Sequence, residues 1–171
     1  MTFDNFPLQV CLRAAPVALL VASCSPVGSA DQPAPTPAAA QETGTHPISG
    51  LEIIPLTVTS GATVHRFKAE LADTPASQAR GLMFRTEIAP DEAMIFPRDV
   101  PTPARFWMKN TPIPLDIIFI GPDKRILNIA AMTTPYSLDG VESDGDVIGV
   151  LELAGGRAAE LGIAEGDIVE W

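Results

Sequence analysis

The stretch from Phe106 to Asp116, Phe-Trp-Met-Lys-Asn-Thr-Pro-Ile-Pro-Leu-Asp, limits what this chain can fold into more than any other. Three large side chains in a row alternate faces in an extended segment, so Phe106 and Met108 point one way and Trp107 the other. Either both faces meet apolar surroundings, or Trp107 is displayed to solvent. Pro112 and Pro114 lack an N–H, fix their own φ and push Thr111 and Ile113 toward extended backbone, which ends any ladder begun before them. Leu115, Ile117 and Phe119 alternate with Asp116, Ile118 and Ile120 as far as Gly121-Pro122-Asp123, which predicts a second strand directly after a stiff proline link. Two readings of the polar residues stay open: Trp107, Lys109, Asn110 and Asp116 form a binding lip, or they are the hydrogen-bonded turn between two buried strands.

At the start of the chain, Arg13 precedes an uncharged run from Ala14 to Ser23. The run is too short to span a bilayer as a mature helix and has the form of the apolar region of a secretory signal. Val21-Ala22-Ser23-Cys24 resembles a bacterial lipobox, which implies a signal peptide over residues 1–23, cleavage before Cys24 and a lipid on its thiol. Ser25, directly after the cysteine, resembles the pattern of lipoproteins passed on to the outer membrane. These features predict an exported, periplasmic protein whose membrane partner is reached through Cys24, more readily at the outer membrane. Residues 24–50 are rich in Pro, Ala, Thr, Ser and Gln; such a segment buries too little surface to offset its conformational entropy and reads as a tether. His46 falls in it and is expected to be solvated, without a role.

Residues 51–171 are the right size for a single globular domain with its own core. Cys11 and Cys24 are the only cysteines, so the domain is expected to hold together by packing, with no disulfide. The net charge of −10 argues against a nucleic-acid partner, which would ask for a basic face. Ile53–Thr59 and Thr63–Ala72 read as a hairpin across Ser60-Gly61. His65 lies on the core-facing row of its second strand; a lone imidazole with no cysteine in the domain makes neither a triad nor a zinc site. Thr74 as N-cap and Pro75 at the first helical position open a short helix that Gly81 closes. Arg80 and Arg85 then either grip an anionic group together or pair with the abundant carboxylates. Short strands are predicted at Ala93–Pro97, Arg125–Met132 and Val147–Leu153. Asp139, Glu142, Asp144 and Asp146 lack the spacing of an EF-hand and are read as a solvated acidic loop. After Ala154-Gly155-Gly156, Arg157–Leu161 reads as a short helix ended by Gly162, and a last turn and strand close the chain.

Gly81-Leu82-Met83-Phe84-Arg85, Ala93-Met94-Ile95-Phe96, the run Phe106–Thr111 with Ile113–Phe119, and Val150-Leu151-Glu152-Leu153-Ala154-Gly155-Gly156 resemble, in order, the motifs of the family known as domain of unknown function 192. The likeness covers about Thr57 to Val169. It implies a compact, mainly β domain found in exported and lipid-anchored bacterial proteins among others, and it implies no activity. Ala93-Met94 stands where the family often has Gly-Met, and the stretch Ser137–Asp146 is unusually acidic. The closing helix, Gly-Ile, Gly-Asp, Val segment is also similar to the end of a PDZ domain, but Trp-Met-Lys-Asn-Thr has no place in that pattern; only peptide binding by strand addition is kept as a mode.

The fold expected is thus mainly β, a sandwich or barrel of about eight strands with two short helices. The leading function is a non-catalytic binding or accessory domain of the cell envelope. Its ligand-binding candidates are Trp107, Lys109, Asn110 and Asp116 with Arg85 beside them: an aromatic platform, a cation, an amide and a carboxylate suited to a glycan or peptide. A rival reading is an enzyme with Lys109 or Asp116 moving a proton. A third is a scaffold whose partners bind the acidic loop. No catalytic residue, metal ligand set or cofactor signature is assigned.

Overall fold

Eight strands and two short helices follow one another along residues 44–171, the part of the chain that the computed structural model describes. The expected signal segment, the lipobox-like run and Cys24 lie outside the described residues. Strand β1 (Gly44–Thr45) lies against β2 (Glu52–Ser60), and β2 turns back into β3 (Thr63–Leu71) as expected. Ser60 faces Thr63 across a tight turn in which Gly61 takes φ +57°. Helix α1 (Pro75–Arg80) starts where the sequence indicates: Thr74 Oγ1 accepts from Ser77 N–H, the Ser77 hydroxyl accepts from Thr74 N–H, and Gly81 at φ +48° ends the helix.

Strand β4 (Glu92–Phe106) returns parallel to β3 and pairs on its other side, antiparallel, with β7 (Val141–Ala154). β7 also pairs with β5 (Leu115–Ile120), which carries the edge strand β6 (Ile126–Ala130). The order is β1-β2-β3-β4-β7-β5-β6, with β8 (Ile168–Glu170) on β2 and helix α2 (Arg157–Leu161) just before it. The sheet curls until the entry to β6 meets β8 at a single bridge, Arg125 to Ile168, and it is sandwich-like rather than a closed barrel.

β5 and the second half of β7 lie at the centre and are buried on both faces. Ile118, Ile120, Leu151 and Leu153 pack with Leu56, Phe67 and Val169 inside the curl. Leu115, Ile117, Phe119 and Val150 face the other way and are roofed by Leu82 and Met108. The cleft described below opens in that second layer.

Three expectations change. The predicted strand at Ala93–Pro97 continues to Phe106, because register shifts after Pro97 and Pro103 absorb residues that cannot donate to the ladder. Of the acidic stretch only Asp139 lies in a loop: Glu142, Asp144 and Asp146 alternate outward along β7, so their charges are solvated on one side of a paired strand. The tether ends earlier than expected. Residues 44–50 belong to the fold, and His46 is 6% exposed instead of solvated, because it fits a buried polar cluster with Arg85 and Glu70.

Candidate functional site

The stretch from Phe106 to Asp116 is held from below. Met108 is buried, and its sulfur lies 3.1 Å from the Thr133 hydroxyl, which also donates to Leu115 C=O. Backbone hydrogen bonds join three loops: Met108 N–H to Ser137 C=O at 3.0 Å, Tyr136 N–H to Thr111 C=O at 3.1 Å, and Phe84 N–H to Asn110 C=O at 2.8 Å. The alternation holds, with Phe106 and Met108 inward and Trp107 outward. Trp107 is 54% exposed, so its face of the segment is displayed to solvent and does not meet apolar surroundings. Lys109 Nζ stands 5.3 Å from its ring centroid, a cation–π contact worth about 0.5–1 kcal/mol at such a site.

Of the five non-glycine residues with positive φ among the described residues, Phe84, Asn110, Met132 and Tyr136 lie in these loops. The left-handed region is costly for bulky side chains and persists where surrounding contacts over-determine it. Here those contacts are the loop-to-loop hydrogen bonds, and Phe84, Met132 and Tyr136 are left exposed.

Trp107 forms one wall of a cleft of about 250 Å³ between the end of α1, β4 and the Phe106–Thr111 segment. Leu82, Phe96 and Phe106 give it an apolar lining. Arg80, Arg98, Arg105 and Lys109 also line it, four of the eleven Lys and Arg residues in a chain with twenty-one Asp and Glu. Arg105 has an exposed partner, Glu142 at 3.6 Å, and Arg98 Nη2 donates to Thr102 Oγ1 at 2.7 Å. The single acidic residue of the lining is Glu152.

Glu152 sits in the middle of the central layer, on one rung with Met94 and Ile117. It is 5% exposed, and its Oε2 has no hydrogen-bond partner. Burial among apolar neighbours pushes the carboxyl up to about 8, so it is a neutral acid at pH 7. Arg98 Nε is likewise buried and unpartnered. Most buried polar groups in folded proteins are satisfied, so two open ones lining the same cleft are unusual.

The other predicted site residues go elsewhere. Asp116 is 0% exposed and does not line the cleft. Its Oδ1 accepts from Met132 N–H at 2.8 Å and Gly156 N–H at 2.9 Å, and its Oδ2 accepts from Ala158 N–H at 2.8 Å, tying β5 to the start of α2. Gly156 makes this possible with φ +85°, and Gly155 approaches Pro114 so closely that an added Cβ would lie 2.8 Å from it. Arg85 turns inward: its Nη1 meets Glu70 Oε1 at 2.9 Å and its Nη2 meets His46 Nε2 at 3.2 Å. Arg80 and Arg85 therefore do not act as a pair. Asn110 braces the loops, its Nδ2 lying 3.8 Å from Met83 Sδ. Only Trp107 and Lys109 of the predicted set reach the cleft. Among the described residues no three His, Cys, Asp or Glu side chains gather as they would around a metal ion.

The model of DUF192, described as an uncharacterized ACR, matches residues 56–171. The chain belongs to the DUF192 family. Among solved structures, a protein of unknown function from Novosphingobium aromaticivorans DSM 12444 is 53% identical, with a TM-score of 0.77 over 81% of this chain and 99% of that one. A suggested transcription regulator from Sinorhizobium meliloti 1021 is 36% identical, with a TM-score of 0.66 over 68% of this chain and 91% of that one. No protein with a curated description matches. The DUF192 match takes in every residue of the cleft and leaves out β1 and His46.

The residues that sequence reasoning missed in this DUF192 domain are Glu152 and Arg98. Alternation places Glu152 on the solvent side of its strand, but a central strand covered on both faces has no such side. The available signal was one carboxylate in the otherwise uncharged run Val147–Ala154.

Proposed function

We propose that this DUF192 domain is a non-catalytic binding domain of the cell envelope, and that its Trp107 cleft takes an acidic sugar. The observation that carries the reading is the gathering of Arg80, Arg98, Arg105 and Lys109 around one aromatic-walled cleft in an acidic chain. Those cations offer hydrogen bonds and charge to a carboxylate, Trp107 offers a flat apolar face to a ring, and the small volume suits one sugar unit better than a drug-sized ligand. An enzyme built on Lys109 and Asp116 draws no support from the geometry, since Asp116 is spent on three backbone N–H groups away from the cleft. The lipobox-like Val21–Cys24 supports anchoring of the domain at a membrane through Cys24; loss of membrane fractionation in a Cys24→Ala protein is the expected outcome.

Trp107 and Trp171 are the only tryptophans, so a Trp171→Phe protein reports on Trp107 alone. Its fluorescence is expected to saturate with trigalacturonate and to stay unchanged with the neutral maltotriose. Equal responses to the two, or none to either, would refute the acidic-sugar reading.

A further inference from the structure

We infer that an oxyanion of the ligand is held in the cleft by two hydrogen bonds, one from Arg98 Nε–H and one from Glu152 as a neutral acid, so that binding is coupled to the proton on Glu152. The inference rests on the cleft being the binding site and deepens that reading by naming what the ligand must present. Glu152 Oε2 and Arg98 Nε are both buried and both without partners, and both residues line the cleft. A carboxylate beside an anion would repel it; a carboxylic acid donates to it. Burial alone is enough to keep the acid form at pH 7, with the shift to about 8.

The charged groups around Glu152 are consistent with this role. From the end of α1 comes Arg80, from β4 Arg98 and Arg105, and from the segment after β4 Lys109, all cationic. β5 contributes Ile117 to the same rung, and its Asp116 belongs to the opposite face of the sheet. No second carboxylate lines the cleft to share the proton. The anion therefore meets cations at the walls and an acid hydrogen among them, and its own charge raises the proton affinity of Glu152 further. Ionising Glu152 removes the donor and places a like charge against the ligand.

The test is the affinity of the Trp171→Phe protein for trigalacturonate between pH 6 and pH 9.5 at fixed ionic strength, with and without Glu152→Gln. Glutamine keeps the shape and an N–H donor and cannot ionise. Without the second substitution, affinity is expected to be flat at the acid end and to fall toward tenfold per pH unit above about pH 8. With Glu152→Gln it is expected to be flat throughout. Identical profiles for the two proteins, or loss of binding in a folded Glu152→Gln protein at every pH, overturn the inference. Inorganic sulfate, an oxyanion without a ring, is titrated in parallel. Sulfate binding with the Glu152-dependent profile while trigalacturonate does nothing supports the proton coupling and refutes the sugar; no binding of either at any pH overturns both.

Discussion

Asp116 and Glu152 are carboxylates on neighbouring central strands, one rung apart and on opposite faces of the same sheet, and the protein treats them in opposite ways. Three backbone N–H groups converge on Asp116 from the turn at Met132 and the start of α2. None converges on Glu152 Oε2, and Glu152 is a lining residue of the cleft instead. A buried charge is tolerable when hydrogen bonds replace its water, and Asp116 meets that condition inside the fold. Glu152 meets it by keeping its proton, which leaves an unpaired acid in a residue that lines the cleft. What separates anchor from site is therefore the supply of backbone donors, since burial is common to both.

The largest effect expected is from Asp116→Ala. Three charge-assisted hydrogen bonds at roughly 1.5–3 kcal/mol each make a loss of about 5 kcal/mol in urea unfolding the expected result; a variant as stable as the parent would remove Asp116 from the anchor side of the comparison. Next comes Arg85→Ala, which leaves Glu70 buried beside His46 and Ser49 without its guanidinium. Breaking a buried pair this way costs about 4 kcal/mol, and a much smaller loss would show that the cluster joining residues 44–50 to the domain is wet.

Glu152→Gln is expected to act with the other sign. The folded protein keeps a proton on Glu152 up to about pH 8, whereas the unfolded chain releases it near 4.5. Parent stability therefore falls as pH rises between those values, by up to about 1.4 kcal/mol per unit. The glutamine variant does not share that fall, so at pH 7 it should be more stable by about 3 kcal/mol. Parallel stability profiles from pH 5 to pH 8 would place Glu152 with Asp116, as a satisfied group. The smallest effect is from Trp107→Ala, expected to change stability by less than about 0.5 kcal/mol while abolishing the calorimetric binding of trigalacturonate. A cooperative loss of structure there would make the ring a packing element.

Much of this fold is legible in local chemistry. Thr74-Pro75 and Gly81 mark both ends of α1, Ser60-Gly61 marks the first hairpin, and the Phe106–Met108 alternation separates Trp107 from Phe106 and Met108. What local chemistry does not carry is which strands lie at the centre. Glu152 alternates with Leu151 and Leu153, as a half-exposed strand would, until β4 and β5 are known to flank it and Leu82 and Met108 to roof the layer. His46 fails for the same reason: its segment has the composition of a linker, and its partners Glu70 and Arg85 are distant in the chain. The candidate site was half legible, through Trp107 and Lys109. Asp116 and Arg85 looked like ligand residues because a charge beside apolar residues is ambiguous until its partners are seen.

The most direct measurement is a carbon-13 NMR titration of the Glu152 side-chain carboxyl in the ligand-free protein, assigned by its absence in Glu152→Gln. An unpartnered acid in the central layer should titrate near pH 8, well above the ordinary value of 4.5. A midpoint at the ordinary value of about 4.5 would mean that water or a neighbouring cation already satisfies Glu152, and the distinction drawn between the two carboxylates would not stand.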